Sequence, residues 1–74
     1  MPTVVTSRRF EFSEGTSNKF WEVSVDGSLV LVRFGRIGTT GQKQSTNFGD
    51  PAVAARYAER KIREKLDKGY TEVE

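Results

Sequence analysis

A chain of 74 residues is long enough for one domain with one compact core, and a core of that size leaves no space for a substrate cavity. Histidine and cysteine are both absent, which removes the usual general base, activated nucleophile and zinc ligands, so we expect no enzyme, no metal site, no cofactor and no small-molecule substrate. The formal net charge of +2 is too small to indicate a nucleic-acid partner by itself, so the distribution of the charges matters more than their sum.

The ends of the chain and its apolar runs show no pattern for export or membrane insertion. Residues 1–6 lack the basic head and the roughly 7–15-residue apolar stretch of a secretory signal. The longest apolar run, residues 29–32, has the length of a strand and is far shorter than the roughly 18 residues of a membrane span. We therefore expect a cytoplasmic protein with no membrane partner.

Alternating apolar residues predict the first two strands. Phe10 and Phe12 recur at period two between residues 8 and 14, and residues 14–18 have the composition of a turn. Residues 20–25 alternate again, and Asp26-Gly27 then indicates a tight hairpin. A two-residue turn there pairs residues 25 with 28, 23 with 30 and 21 with 32. This register places one apolar set on a single face of the sheet: Trp21, Val23, Val25, Val30, Val32 and Phe34.

The second half of the chain predicts a polar strand and a helix. Residues 38–41 form a turn, and residues 42–48 read as a strand. Asp50 suits the N-cap and Pro51 the first position of a helix that ends at Gly69. Its predicted apolar stripe consists of Ala54, Ala58, Ile62 and Leu66, flanked by Tyr57. The predicted solvated face includes Arg56, Arg60 and Arg63, and the predicted role of Lys65 and Lys68 is to complement the helix dipole.

These elements predict an α+β fold: an antiparallel four- to five-stranded meander sheet with one C-terminal helix packed on one face. A short final strand is expected at residues 70–73. We expect residues 1–74 to form a single domain.

The glycine-rich segment at residues 35–41 does not match a cofactor loop. Its glycines are three residues apart, no helix follows, and the Gly-Lys-Ser/Thr ending of a P-loop is missing. The stretch Phe34-Gly35-Arg36-Ile37-Gly38-Thr39-Thr40-Gly41-Gln42 instead resembles the signature of the WGR family, with Phe34 where the family has Trp. Residues 17–23, 48–50 and 65–70 resemble three further family segments, so the resemblance covers about residues 9–72.

The resemblance implies the same sheet-and-helix fold and a role in binding. WGR domains occur in DNA-dependent poly(ADP-ribose) polymerases, where they hold the end of a broken DNA strand, and in bacterial proteins. This chain has no transferase domain, so it resembles a bacterial stand-alone WGR protein. The resemblance implies that it binds DNA and that it recognises DNA ends or 5′-phosphates. By resemblance, Phe34 would pack on a sugar, Arg36 would contact DNA and Gly35 would let the backbone approach closely.

Further candidate contacts surround this motif, because the basic excess lies between residues 19 and 43. Each has a simpler alternative: a solvated lysine, a paired surface arginine, a turn asparagine or a core aromatic. Strict alternation also places Arg33 and Arg36 on opposite faces unless a bulge intervenes. The rival function is a protein-interaction module that docks a partner chain or domain. The candidate nucleic-acid contacts are Phe34, Gly35, Arg36, Lys19, Asn18, Arg33, Lys43 and Tyr70.

Overall fold

The computed structural model describes residues 6–73. In chain order, the elements are β1 (Thr6–Glu14), β2 (Ser17–Asp26), β3 (Leu29–Arg36), β4 (Gln42–Asn47), α1 (Pro51–Asp67) and β5 (Thr71–Val73). The five strands form one antiparallel sheet in the order β4-β3-β2-β1-β5, with α1 on one face. The predicted fold class is therefore confirmed.

The β2–β3 hairpin keeps the predicted faces but not the predicted register. Asp26 pairs with Leu29, so the two turn residues are Gly27 and Ser28 rather than Asp26 and Gly27. Gly27 has φ +61° and no non-glycine among the described residues has a positive φ, which fits a type II′ turn with glycine at its first central position. A shift of two residues leaves every side chain on its predicted face.

The core lies between α1 and the face of the sheet predicted to be apolar. The rings of Phe10 and Trp21 pack at a tilt, with their centroids 5.8 Å apart. The predicted residues Val25, Val32 and Phe34 are partly buried against this core. The buried members of this core are Phe10, Trp21, Val23, Val30, Ala54, Ala58 and Ile62.

The helix begins as predicted and faces the sheet with a different set of residues near its end. Asp50 is the N-cap, and its Oδ1 accepts a hydrogen bond of 2.8 Å from the backbone N–H of Ala52. The predicted stripe is wrong at Leu66, which is 47% exposed. Residues four apart drift by about 40° around an ideal helix, so the row that begins at Ala54 has left the sheet by its fourth member.

Lys65 takes the sheet-facing position that Leu66 was predicted to hold. Its ammonium nitrogen lies 5.6 Å from the centroid of the Trp21 ring. The helix thus ends over the sheet with a charged residue in place of an apolar one. Within residues 6–73, no helix has the length and apolar character needed to cross a bilayer.

Candidate nucleic-acid interface

A cationic groove of about 600 Å³ lies between the C-terminal half of α1 and strands β2, β3 and β4. Glu64 is the one acid among the described residues that line it. The groove also contains the rings of Phe34, Tyr57 and Tyr70, all half-buried. The basic residues of the cationic groove are Lys19, Arg36, Lys61, Lys65 and Lys68.

Strand pairing and helix geometry bring these cations together. Lys19 on β2 is directly opposite Arg36 on β3, two residues along from the pair formed by Trp21 and Phe34. Because side chains alternate along a strand, both cations lie on the helix side of the sheet. Lys61 and Lys65 on α1 and Lys68 at its C-cap follow at spacings of four and three residues, which places them along one side of the helix.

Most of this positive charge has no neutralising partner. Glu64 lies 3.5 Å from the ammonium of Lys61. None of the acids within residues 6–73 forms an ion pair with Lys19, Arg36, Lys65 or Lys68. Arg36 is also exposed rather than covered by the helix. The groove is therefore an electropositive surface that a polyanion can reach.

Lys65 lies deeper in the groove than the cations at its rim. Its ammonium is 5.3 Å from the centroid of the Tyr70 ring, in addition to its contact with Trp21. Burial lowers the pKa of Lys65 below its ordinary value, and the charges of Lys68 and Lys61 lower it further. An anion in the groove would raise the pKa of Lys65 again, because it would favour the charged form of the ammonium.

The corner between β3 and β4 fixes the backbone around Arg36. The carbonyl of Arg36 accepts hydrogen bonds from the backbone N–H of Thr39 at 3.1 Å and from its hydroxyl at 2.7 Å. A Cβ added to Gly35 would lie 2.8 Å from the Cα of Gly41. The close approach of these two glycines gives Gly35 a structural role, in addition to the ligand approach predicted for it.

The structure divides the predicted contacts between two faces of the sheet. Five of the eight line the cationic groove: Lys19, Phe34, Gly35, Arg36 and Tyr70. The other three, Asn18, Arg33 and Lys43, have register positions on the opposite, open face. Arg33 and Arg36 therefore lie on opposite faces of the sheet, as strict alternation predicted.

On the open face, Arg33 is neutralised by a carboxylate. Glu22 accepts hydrogen bonds from Arg33 at 2.9 and 3.1 Å and from Arg9 at 2.6 Å. Both guanidinium groups lie over the ring of Phe20, 4.6 Å away for Arg9 and 5.3 Å for Arg33. We call these four residues, Arg9, Phe20, Glu22 and Arg33, the open-face cluster.

Asn18 and Lys43 lie at the margins of this same face. The side-chain oxygen of Asn18 accepts a hydrogen bond of 2.6 Å from the hydroxyl of Ser13, and its backbone carbonyl accepts one from Ile37. Lys43 is exposed on β4 opposite Arg33. Asn18, Arg33 and Lys43 therefore do not line the cationic groove.

The groove lysines Lys61, Lys65 and Lys68 were not among the predicted contacts. Lys65 and Lys68 were explained by the helix dipole, and Lys61 had no predicted role. One signal was available: Tyr57, Lys61 and Lys65 form a row at four-residue spacing that begins with a partly buried aromatic. That row, rather than the row ending at Leu66, faces the sheet at the end of the helix.

Comparison with known proteins places this fold in one family. Residues 6–74 match the family model of the WGR domain. Protein YehF of Escherichia coli (strain K12) is 38% identical over 65 residues, which make up 88% of this chain and 24% of YehF. The uncharacterized protein YfeS of the same strain is 32% identical over 65 residues, or 88% of this chain and 27% of YfeS.

A solved structure agrees with the sequence matches. The crystal structure of a protein from Bacteroides fragilis has a TM-score of 0.90 and 40% sequence identity, and the match covers 93% of this chain and 20% of that one. The chain spans about a quarter of the length of the two E. coli relatives and a fifth of the solved chain. On the family match and the shared fold, the chain belongs to the WGR domain family.

Proposed function

We propose that this chain binds nucleic acid, with DNA as the first candidate, through the cationic groove. The observation that carries the proposal is the set of four groove cations that form no ion pair within residues 6–73. Ammonium and guanidinium groups contact phosphates, and release of the counterions supplies much of the affinity. The WGR domain is a small module that is not itself catalytic and is associated with nucleic-acid binding in poly(ADP-ribose) polymerases, which supports the same function.

Within this function, the finer proposal is contact with a DNA end or a 5′-phosphate. Arg36 is suited to a bidentate phosphate contact because its guanidinium is planar and free of carboxylates among the described residues. Phe34 lies beside it on the same face and presents a half-buried ring for packing on a sugar. Phenylalanine offers no N–H donor, so its contribution would be packing alone.

Substitution of Arg36 tests the function directly. Arg36→Ala should weaken the binding of a short 5′-phosphorylated DNA duplex about tenfold, because a hydrogen-bonded charged contact contributes about 1.5 kcal/mol or more. Arg56→Ala is the matched control, since Arg56 is exposed on α1 and lies outside the groove. We expect it to change the affinity less than about twofold. Fluorescence anisotropy measures both, and amide chemical shifts locate the contact.

An alternative function is a docking module for another protein or domain. The observation that favours it is the length of the relatives, in which the matched region makes up only 20–27% of the chain and therefore has neighbours. Under this alternative, the affinity for the DNA duplex would not change with Arg36→Ala or with the salt concentration. The anisotropy experiment therefore separates the two functions.

A further inference from the structure

We infer that the cationic groove receives an unpaired strand, so that the preferred ligand is a single-stranded end or overhang rather than a fully paired terminus. This inference rests on the proposed function and names the form of nucleic acid that the groove accepts. Three features of the groove carry it: its size, the depth of Lys65 and the position of its aromatic rings.

The space in the groove has the size of a small-ligand site. Its volume of about 600 Å³ falls within the range of roughly 300–1,000 Å³ typical of pockets that enclose small molecules. One or a few nucleotides of a single strand fit into such a space. A double helix, which carries two backbones around its stacked pairs, can only lie across the rim.

The cations lie at two depths, and only an entering strand reaches both. Arg36 and Lys68 are exposed at the rim, whereas Lys65 is half-buried with its ammonium over the rings of Trp21 and Tyr70. Burial and like charge lower the pKa of Lys65, so a phosphate at this depth gains more from meeting it than from meeting a solvated lysine. A duplex held at the rim leaves Lys65 without a phosphate.

The aromatic rings of the groove suit bases or sugars that are free to turn. Phe34, Tyr57 and Tyr70 line the groove and are half-buried, so part of each residue is accessible from the groove. Trp21 is only 5% exposed and belongs to the core. A basic groove with accessible aromatic rings is the pattern of proteins that bind single strands without sequence preference, because every base has a π face to stack.

Three DNA ligands with the same 5′-phosphate test the inference: a hairpin with a blunt end, the same hairpin with an overhang of about eight nucleotides, and that eight-nucleotide strand alone. We expect the overhang and the free strand to bind about fivefold or more tightly than the blunt hairpin in anisotropy titrations at one fixed salt concentration. Lys65→Gln should weaken overhang binding about tenfold and leave blunt-end binding within about twofold.

Lys43→Gln is the matched control, because Lys43 is an exposed lysine on the open face. It should alter neither affinity. Tyr70→Leu, which removes one of the aromatic rings of the groove, serves as a second variant if Lys65→Gln unfolds, and the amide spectrum of each variant establishes that it is folded. We expect Tyr70→Leu to reduce overhang binding more than blunt-end binding, because an unpaired base can stack on this ring and a paired one cannot.

The possible failures are distinguishable. The unpaired-strand inference is wrong if the blunt and overhang hairpins bind with equal affinity. It is also wrong if the groove variants and Lys43→Gln change the affinity for the overhang hairpin equally. If the blunt hairpin still binds and depends on Arg36, the proposed function stands without it. If none of the three ligands binds in a salt-dependent way, both the inference and the proposed function are wrong.

Discussion

Gly41 keeps the corner between β3 and β4 closed. A Cβ at this position would overlap the carbonyl oxygen of Phe34 and approach the Cζ of Phe20 to 2.7 Å. Its φ of +74° lies in the left-handed region that side chains other than glycine rarely adopt. Because this corner holds the backbone of Arg36, a change at Gly41 affects both the stability of the fold and the position of a groove cation.

Gly41→Ala should therefore lower the free energy of unfolding by about 3 kcal/mol, through steric overlap added to backbone strain. Gly15→Ala is the matched control, because Gly15 has φ +60° but no atom within 4 Å of an added Cβ. Backbone strain alone should cost about 1 kcal/mol there. Urea denaturation compares the two, and equal losses would show that the overlap at Gly41 is relieved at no cost.

At the scale of elements, the open-face cluster ties β1, β2 and β3 together by charge. Hydrogen bonds from Arg33, and then from Arg9, hold the pKa of Glu22 below its ordinary value of 4.5, against the opposite effect of burial. A carboxylate with a lowered folded-state pKa contributes stability that is complete above its unfolded pKa. That contribution is lost as the pH falls through the folded-state pKa.

A fall in pH should consequently lower the free energy of unfolding of the native chain more than that of a variant without this carboxylate. Between about pH 6 and about pH 3, the native chain should lose on the order of 1 kcal/mol more unfolding free energy than Glu22→Gln does. Glu14→Gln is the control, because Glu14 is exposed and forms no ion pair within residues 6–73. Urea titrations at the two pH values measure the difference, and identical acid losses in all three proteins would contradict it.

Much of the secondary structure could be predicted from the sequence alone. Alternation in β2 and the caps of α1 are local signals, so they predicted the sheet, its apolar face and the helix correctly. The hairpin register was wrong by two residues because it depends on which residue takes the positive φ, and Gly27 rather than Asp26 begins the turn. The loss of Leu66 from the core follows from the drift of a four-residue row around the helix.

The candidate site was harder to predict than the fold, because it depends on contacts between distant elements. Lys19 and Arg36 were both predicted as DNA contacts, but only the register shows that they face each other. Lys65, which lies more than forty residues after Lys19 along the chain, joins them from α1. No local sequence pattern indicates that residues so far apart along the chain line one groove. The lysines of α1 were therefore interpreted as ordinary helix residues.

At the scale of the whole molecule, the charge is concentrated on one side. Five basic residues and one acid give the described lining of the groove a formal charge of +4, whereas the whole chain carries +2. The remainder of the chain is therefore net acidic. Such an asymmetric field orients an approaching polyanion toward the groove, even though the net charge is small.

Binding through this side should depend strongly on salt. With three or four phosphate contacts, the logarithm of the binding constant should fall against the logarithm of salt concentration with a slope of about −2 to −4. Anisotropy titrations over a series of salt concentrations measure the slope, and Arg36→Ala should reduce its magnitude by about one. A flat response in the native chain would rule out phosphate contacts as the source of affinity.

The open-face cluster has a further consequence for the architecture. Phe20 is only 1% exposed although the one helix within residues 6–73 packs on the other face of the sheet, because the guanidinium groups of Arg9 and Arg33 lie over its ring and Gly41 lies against the end of the ring. The two arginines thus act as a second packing layer, because each guanidinium shields the ring while it donates hydrogen bonds to Glu22. A domain this small can in this way insulate aromatic surface on both sides of its sheet with a single helix.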